Sequence, residues 1–155
     1  MNVKVCVPQR YLALRGERKM AKILLVEDET ALCLLYQTEL GAEGHEVVVA
    51  HDGKTAVEMA AQAKPDLVIM DISLPEKMDG IESMSRILGE DKSIPVIINT
   101  GYSQYRDNFM SWAAEAYVIK SADLRPLKRA INKALRARQQ GKETDASSGH
   151  GPEDS

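Results

Sequence analysis

The chain has 155 residues, of which 44% are hydrophobic and 28% are charged, and its formal net charge is −3 at pH 7. This length favours a single domain, and the nearly balanced charge gives no sign of a nucleic-acid or membrane partner. No apolar stretch is long enough to span a bilayer, and we expect no secretory signal. Cys6 and Cys33 have neither CxxC spacing nor a neighbouring His cluster, so we expect free thiols and a cytoplasmic location.

Five short apolar runs alternate with helical patterns along the chain. The runs predict buried strands at residues 23–26, 46–50, 67–71, 95–99 and 117–119. In the first helix the predicted apolar stripe consists of Ala31, Leu34, Leu35, Thr38 and Ala42. The second and third stripes consist of Ala56, Met59, Ala60 and Ala63, and of Ile81, Met84, Ile87 and Leu88. The fourth and last helices are predicted from Phe109, Trp112, Ala113 and Ala116, and from Leu124, Leu127, Ile131, Ala134 and Leu135.

This alternation of strands and helices predicts the fold class. Strands that alternate with helices form a parallel sheet with helices on both faces. Because five units are too few to close an eightfold barrel, we predict an open, doubly wound (βα)5 sheet of the α/β class over residues 22–138. Residues 1–21 are predicted to be a disordered N-terminal extension, and the polar residues 139–155 a disordered tail.

Polar side chains stand at the ends of four predicted strands: Glu27 and Asp28, Asp71, Thr100, and Lys120. Because the carboxyl ends of parallel strands share one edge of the sheet, we expect these groups to converge. Clustered acids repel one another unless a cation lies among them, and hard carboxylate oxygens suit Mg²⁺. With the Lys120 charge and the Thr100 hydroxyl nearby, the pattern predicts a cradle for a phosphoryl group carried by Asp71.

Four segments, in this order, resemble the receiver domain of two-component response regulators. They are residues 23–29 (ILLVEDE), 71–75 (DISLP) with 78–80 (MDG), 99–101 (NTG) and 117–120 (YVIK). The resemblance covers residues 22 to about 138 and implies a flavodoxin-like sheet with strand order 2-1-3-4-5. It also implies phosphotransfer from a phosphohistidine of a sensor histidine kinase or of a phosphotransfer protein.

The resemblance further implies how the acidic residues act. Asp71 would be the phosphoacceptor, and Asp28, Asp71 and the backbone carbonyl of Ser73 would bind Mg²⁺. Glu27 would act largely through a metal-bound water. Such a protein is a phosphoacceptor rather than an enzyme, and it catalyses only its own Mg²⁺-dependent phosphotransfer and dephosphorylation.

The remaining site residues are assigned by the same resemblance. Lys120 and Thr100 would bind the phosphoryl oxygens. Thr100 and Tyr117 match a switching pair, in which the hydroxyl moves toward the phosphate and the aromatic ring turns inward. The expected output is a changed surface on the fourth helix, fifth strand and last helix, which would contact a downstream protein.

The chain departs from the family pattern at three places. The loop 75–80 is one residue longer than the commonest family loop, and Gly101 stands where the family often has Ala. Ser121 follows Lys120 where the family usually has Pro, commonly after a cis peptide bond. We predict that the Lys120–Ser121 bond is also cis, although a cis non-Pro bond costs about 2.5–4 kcal/mol.

Two other functions were weighed against a receiver. A hydrolase with an Asp nucleophile would want a second Asp two residues after Asp71, where this chain has Ser73. A pseudo-receiver, which binds partners without taking a phosphoryl group, is disfavoured because the site residues are all present. The basic residues of the last helix are interpreted as a solvated face: Lys128, Arg129, Lys133, Arg136 and Arg138. We therefore predict a stand-alone receiver that signals through protein contacts.

Overall fold

The computed structural model describes residues 20–74, 80–101 and 113–147, with side chains up to residue 141. The strands are β1 (Lys22–Val26), β2 (Glu46–Ala50), β3 (Leu67–Met70), β4 (Val96–Thr100) and β5 (Ala116–Ile119). The helices of the described residues are α1 (Thr30–Ala42), α2 (Gly53–Ala63), α3 (Gly80–Glu90) and α4 (Arg125–Ser147).

The five strands form one parallel sheet in the order β2-β1-β3-β4-β5, which confirms the predicted fold. The register aligns the strand ends: Val26 pairs with Ala50 on one side and with Met70 on the other, and Met70 pairs with Ile98. The residues that follow these positions therefore lie at one edge of the sheet. This alignment is what brings the predicted site residues together.

Helices cover both faces of the sheet, and each face has its own apolar core. Successive strand residues point to opposite faces, so each buried strand supplies both cores. On the side of α2 and α3 the core contains Leu24, Val26, Val68, Met70, Val96 and Ile98, among others. On the side of α1 and α4 it contains Ile23, Leu25, Leu67, Ile69 and Ile97, among others. Each fully buried side chain of this size contributes about 1.5–3 kcal/mol, so the central strands anchor the fold.

The predicted apolar stripe of α1 is wrong. Leu34 and Leu35 are 61% and 39% exposed, whereas Cys33, Tyr36 and Leu40 are buried against the sheet. The helix has apolar residues around most of its circumference, so two stripes satisfy the helical spacing. Packing selects the stripe that contains the tyrosine.

The last helix also ends later than expected. It continues to Ser147, so residues 139–147 are helical where a disordered tail was predicted. Gln, Lys, Glu and Ala in this segment are good helix formers, which favours the longer helix. Lys128, one of the basic residues of this helix, forms an ion pair with Glu39 of α1 at 2.9 Å.

Parts of the prediction lie outside the described residues: the N-terminal extension to residue 19, the loop 75–79, and residues 102–112 of the predicted fourth helix. Ala116, the last residue assigned to that helix, is instead the first residue of β5. A β-strand at this position pairs with β4, where Ile97 is the partner of Ala116. Sheet pairing thus overrides the helical spacing at its C-terminal end.

Candidate functional site

Three of the predicted site residues are joined by ion pairs at the carboxyl edge of the sheet. Glu27 follows β1, Asp71 follows β3 and Lys120 follows β5. Lys120 Nζ lies 2.8 Å from Glu27 Oε2 and 2.9 Å from Asp71 Oδ2. Both carboxylates are almost fully buried, with side chains 2% and 5% exposed. The ammonium therefore bridges two acids from two other strands, as the strand-end pattern predicted.

The acidic residues form a cluster that could hold a metal ion. Carboxylate oxygens of Glu27, Asp28 and Asp71 all lie within 4.8 Å of one another. Opposite ligands of an octahedral Mg²⁺ are about 4 Å apart, so the cluster fits this ion with small adjustments. Asp28 is exposed, which leaves room for the waters that Mg²⁺ retains.

Hydrogen bonds and ion pairs hold all four carboxylate oxygens of the two buried acids. Asp71 Oδ1 accepts a hydrogen bond from the Ser73 backbone N–H at 3.0 Å. Glu27 Oε1 accepts one from the Glu29 backbone N–H at 3.2 Å, while its Oε2 is paired with Lys120. Asp71 Oδ2 is likewise paired with Lys120, at 2.9 Å, so both buried acids have a protein partner on each oxygen. The side chain of Ser73 is exposed, and the metal-binding role of its carbonyl stays a prediction.

The charges and the burial at this edge of the sheet shift the pKa values of Glu27 and Lys120. Burial raises the pKa of Glu27, and the charge of Asp71 raises it further, while Lys120 acts in the opposite direction. Burial lowers the pKa of Lys120, but hydrogen bonds and charge from Glu27 and Asp71 outweigh this and hold it above its ordinary value. Lys120 is therefore a permanent cation that compensates two buried acids.

Thr100 and Tyr117, the predicted switch residues, are both buried. Thr100 ends β4, and its backbone carbonyl accepts a hydrogen bond from Lys120 N–H at 2.7 Å. Tyr117 lies in β5 and belongs to the core on the side of α2 and α3. The structure thus links Thr100 to the backbone of Lys120, while the switching motion of the two residues stays a prediction.

The predicted cis bond between Lys120 and Ser121 is wrong, because no peptide bond among the described residues is cis. Without a proline the trans form is favoured by about 2.5–4 kcal/mol, and nothing here compensates for that difference. Lys120 nevertheless reaches Asp71, because its long side chain adapts to the trans backbone. The departure from the family pattern at Ser121 therefore leaves the lysine in place.

The structure adds residues that the sequence analysis did not assign. Gly80 opens α3 against the backbone that follows β3: a Cβ there would overlap the Asp71 carbonyl oxygen and lie 2.7 Å from Ile72 Cα. His51 follows β2 and its Nδ1 lies 3.2 Å from the Glu27 carbonyl oxygen. His51 could have been found from the sequence, because it follows a predicted strand as the other site residues do. The close packing of Gly80 could not, because it depends on how α3 lies against the sheet.

A further unassigned contact joins α1 to β4. The Asn99 side chain donates a hydrogen bond to the Tyr36 hydroxyl at 2.6 Å, and both residues are buried. Nothing in the sequence indicates this pair, because its members are 63 residues apart.

None of the helices in the described part of the chain combines the length and apolarity that a membrane-spanning helix needs.

Curated relatives share the sequence of this domain. Regulatory protein AtoC of Escherichia coli (strain K12) is 34% identical over 124 residues, which are 79% of this chain and 27% of AtoC. Transcriptional regulatory protein PdtaR of Mycobacterium tuberculosis is 37% identical over 118 residues, 74% of this chain and 56% of PdtaR. The chain therefore spans only about a quarter to about half of the length of these relatives.

Solved structures share both sequence and fold. The response regulator TrrA of Thermotoga maritima, crystallised in complex with Mg²⁺-BeF, is 37% identical with a TM-score of 0.70. The match covers 74% of this chain and 99% of TrrA. A response regulator receiver domain protein of Methanospirillum hungatei JF-1 is 26% identical with a TM-score of 0.74, and the match covers 79% and 99% of the two chains.

The family model described as the response regulator receiver domain matches residues 23–132. These residues include the five strands of the sheet, except for Lys22 at the start of β1, and the acids and lysine of its carboxyl edge. Together with the strand order and the relatives above, this match identifies the chain as a member of the response regulator receiver domain family of two-component systems.

Proposed function

We propose that this domain accepts a phosphoryl group on Asp71 from a phosphohistidine of a sensor kinase or phosphotransfer protein, with Mg²⁺ as cofactor. The observation that carries the proposal is the Lys120 ammonium, 2.9 Å from Asp71 Oδ2 beside the cluster of three acids. The Mg²⁺-BeF complex of TrrA supports the choice of ion. When bound by Asp28, Asp71 and the Ser73 carbonyl, Mg²⁺ would neutralise charge on the phosphoryl oxygens.

The chain's own residues account for the transfer. An Asp71 carboxylate oxygen attacks phosphorus, a new O–P bond forms, and the P–N bond breaks with its electron pair left on the histidine ring. Ser73 N–H and Lys120 hold the carboxylate in one orientation before the attack. Lys120 then stabilises negative charge on the transferred group, together with the Thr100 hydroxyl.

The signal is read out by a change of surface. The Thr100 hydroxyl moves toward the phosphoryl group and the ring of Tyr117 turns inward, which favours one arrangement of β5 and the neighbouring surface of α4. The partner is a downstream protein that binds this face, rather than a nucleic acid. The pairing of Lys128 with Glu39 supports this choice, because part of the basic row on α4 is already neutralised.

Phosphoryl uptake is measured by incubation with acetyl phosphate and Mg²⁺ followed by intact mass spectrometry. The wild type is expected to gain the mass of one phosphoryl group, to need Mg²⁺ for this gain, and to lose the group slowly afterwards. Asp71→Asn should gain none, and the control Asp91→Asn, beyond α3 at the opposite edge of the sheet, should behave like the wild type.

Two results of this experiment would contradict the proposed function and indicate a different one. A wild type that gains no mass and consumes no acetyl phosphate would be a pseudo-receiver. Steady turnover of acetyl phosphate without an adduct would indicate a hydrolase. The stand-alone organisation and the cytoplasmic location stay predictions, and the mass and fractionation of the native protein test them.

A further inference from the structure

The buried hydrogen bond between Tyr36 and Asn99 is polar in an otherwise apolar layer. The two residues are 1% and 2% exposed, and the core around them consists mainly of aliphatic side chains. A buried polar pair of this kind stabilises a fold little more than an apolar pair of the same shape. Its position in the molecule is therefore more informative than its contribution to stability.

The register places Asn99 beside the phosphoacceptor. Met70 pairs with Ile98, so the next row of the sheet contains Asp71 and Asn99 on neighbouring strands. Ile69 and Ile97 belong to the core on the side of α1, and strand residues two apart share a face, so both side chains point to that side. Strands in a sheet are about 4.8 Å apart, so Asn99 lies one strand away from Asp71 at the carboxyl edge of the sheet.

The hydroxyl of Tyr36 accepts a hydrogen bond from the Asn99 amide. This hydroxyl lies within electrostatic reach of the site: burial raises its pKa, the Asn99 hydrogen bond lowers it, and the charges of Lys120, Glu27 and Asp71 all act on it. The tyrosine belongs to α1, which begins at Thr30, directly after the loop that carries Asp28. The hydrogen bond thus joins the element behind the metal-binding loop to the strand that ends at Thr100.

We propose that Tyr36 and Asn99 are positioning residues for phosphoryl transfer: their hydrogen bond holds the end of β4 against α1, and so sets Asp71 relative to Asp28 and Thr100. The inference rests on the proposed function of Asp71. Phosphoryl transfer depends on placement, and a misplacement of about 1 Å can slow a reaction by about 100-fold. Tyr36→Phe keeps the ring in the core and removes only the hydroxyl.

The experiment distinguishes an effect of these residues on the placement of the site from an effect on the stability of the protein. Phosphorylation rate constants are measured at saturating acetyl phosphate and Mg²⁺, where every variant is fully folded by circular dichroism, and the half-saturating Mg²⁺ concentration is measured alongside. Tyr36→Phe is expected to lower the rate constant about tenfold and to change the Mg²⁺ requirement much less. The double variant Tyr36→Phe/Asn99→Leu, which leaves no unpaired amide, should recover the unfolding midpoint but not the rate constant.

Leu40→Val is the matched control, since Leu40 is a buried residue of the same helix and has no polar group. It should lower the unfolding midpoint and leave the rate constant unchanged. A wild-type rate in Tyr36→Phe, or a rate that returns with stability in the double variant, would overturn the positioning role alone. If the wild type itself gains no phosphoryl group, the proposed function fails and this role fails with it.

Discussion

At the scale of single residues, Lys120 is the charge on which the site depends. Lys120→Met removes the cation between two buried carboxylates and leaves them facing each other. We expect the free energy of unfolding at neutral pH to fall by about 3 kcal/mol, because breaking a buried ion pair strands the remaining charges. Urea unfolding measures this loss, and millimolar Mg²⁺ should restore part of it.

The pH dependence of this contribution follows from the direction of the pKa shift. The pKa of Lys120 is higher in the folded protein than its ordinary value of 10.5, so the contribution is complete below that pH and is lost as the pH rises through the folded pKa. The exposed Lys133→Met, on the outer face of α4, is the control and should change stability little. An equal loss in both variants would contradict the role of the bridge.

Gly80 makes a second prediction at this scale. Gly80→Ala would push a Cβ into the Asp71 carbonyl oxygen and the Ile72 backbone, so we expect a loss of about 2 kcal/mol in the free energy of unfolding. In the same helix a Cβ at Gly89 meets nothing within 4 Å. Gly89→Ala should therefore stabilise the protein by about 0.5–1 kcal/mol, because alanine favours helix. Urea unfolding measures the free energy of unfolding of both variants. A similar change in the two would refute the close packing of Gly80 against the Asp71 and Ile72 backbone.

Residue by residue, the site was predictable where a residue's position in a strand determined its surroundings. Glu27, Asp71 and Lys120 each follow a strand, and parallel strands bring their ends together whatever the packing of the helices. Tyr36 and Asn99 were not predictable, because each looks like an ordinary core residue until the register and the position of α1 are known.

At the scale of elements, the start of α2 has a polar cap. Asp52 precedes α2, and its Oδ1 accepts a hydrogen bond from the Thr55 N–H at 2.7 Å. Asp52→Ala should lower the free energy of unfolding by about 1 kcal/mol at pH 7. These hydrogen bonds lower the pKa of Asp52 below 3.8, so its contribution is present above that pH and is lost as the pH falls through the folded pKa.

The control for this cap is Asp52→Asn. Asparagine caps helices about as well as aspartate and does not titrate. We therefore expect its stability at pH 7 to stay near that of the wild type and to lack the cap's pH dependence in acid. Thermal unfolding from pH 2 to pH 7 compares the three proteins, and a loss in Asp52→Ala that does not change with pH would contradict the assignment.

Helix α1 shows where periodicity alone is insufficient. The spacing of Leu34 and Leu35 fits a buried stripe as well as the spacing of Cys33, Tyr36 and Leu40 does. Only packing against the sheet decides between them, and it is Cys33, Tyr36 and Leu40 that belong to the core on this side. Elements that have one apolar face, such as α3 and the first turns of α4, were predicted on the correct side.

At the scale of the whole molecule, the strand order was predicted from the alternation of strands and helices and from the resemblance to receiver domains. The end of the domain depends instead on a contact between α4 and the sheet. Arg138 of α4 lies at the edge of the sheet opposite the site, and its Nη1 donates to the carbonyl oxygens of Pro65 and Asp66 at 3.3 and 2.6 Å. These bonds tie α4 to the segment that enters β3. The folded unit therefore includes residue 138, and the helix itself continues to Ser147.

Removal of that contact should destabilise the protein more than removal of the helix beyond it. Arg138→Ala is expected to lower the free energy of unfolding by about 2 kcal/mol, since hydrogen bonds from a charged donor contribute about 1.5–3 kcal/mol. Its buried Nε, which lacks a partner among the described residues, reduces this contribution. A chain that ends after Gly141 should unfold within about 0.5 kcal/mol of the full chain, because residues 142–155 are almost all polar, small or charged.

Arg136→Ala is the control for this comparison, because Arg136 is an exposed arginine of the same helix. Its loss should leave the urea midpoint within experimental error of the wild type. A truncated chain that is as unstable as Arg138→Ala would show that residues 142–147 contribute to the fold. The folded unit would then extend through the last turns of α4. The domain boundary predicted from the polar composition of these residues would in that case be wrong.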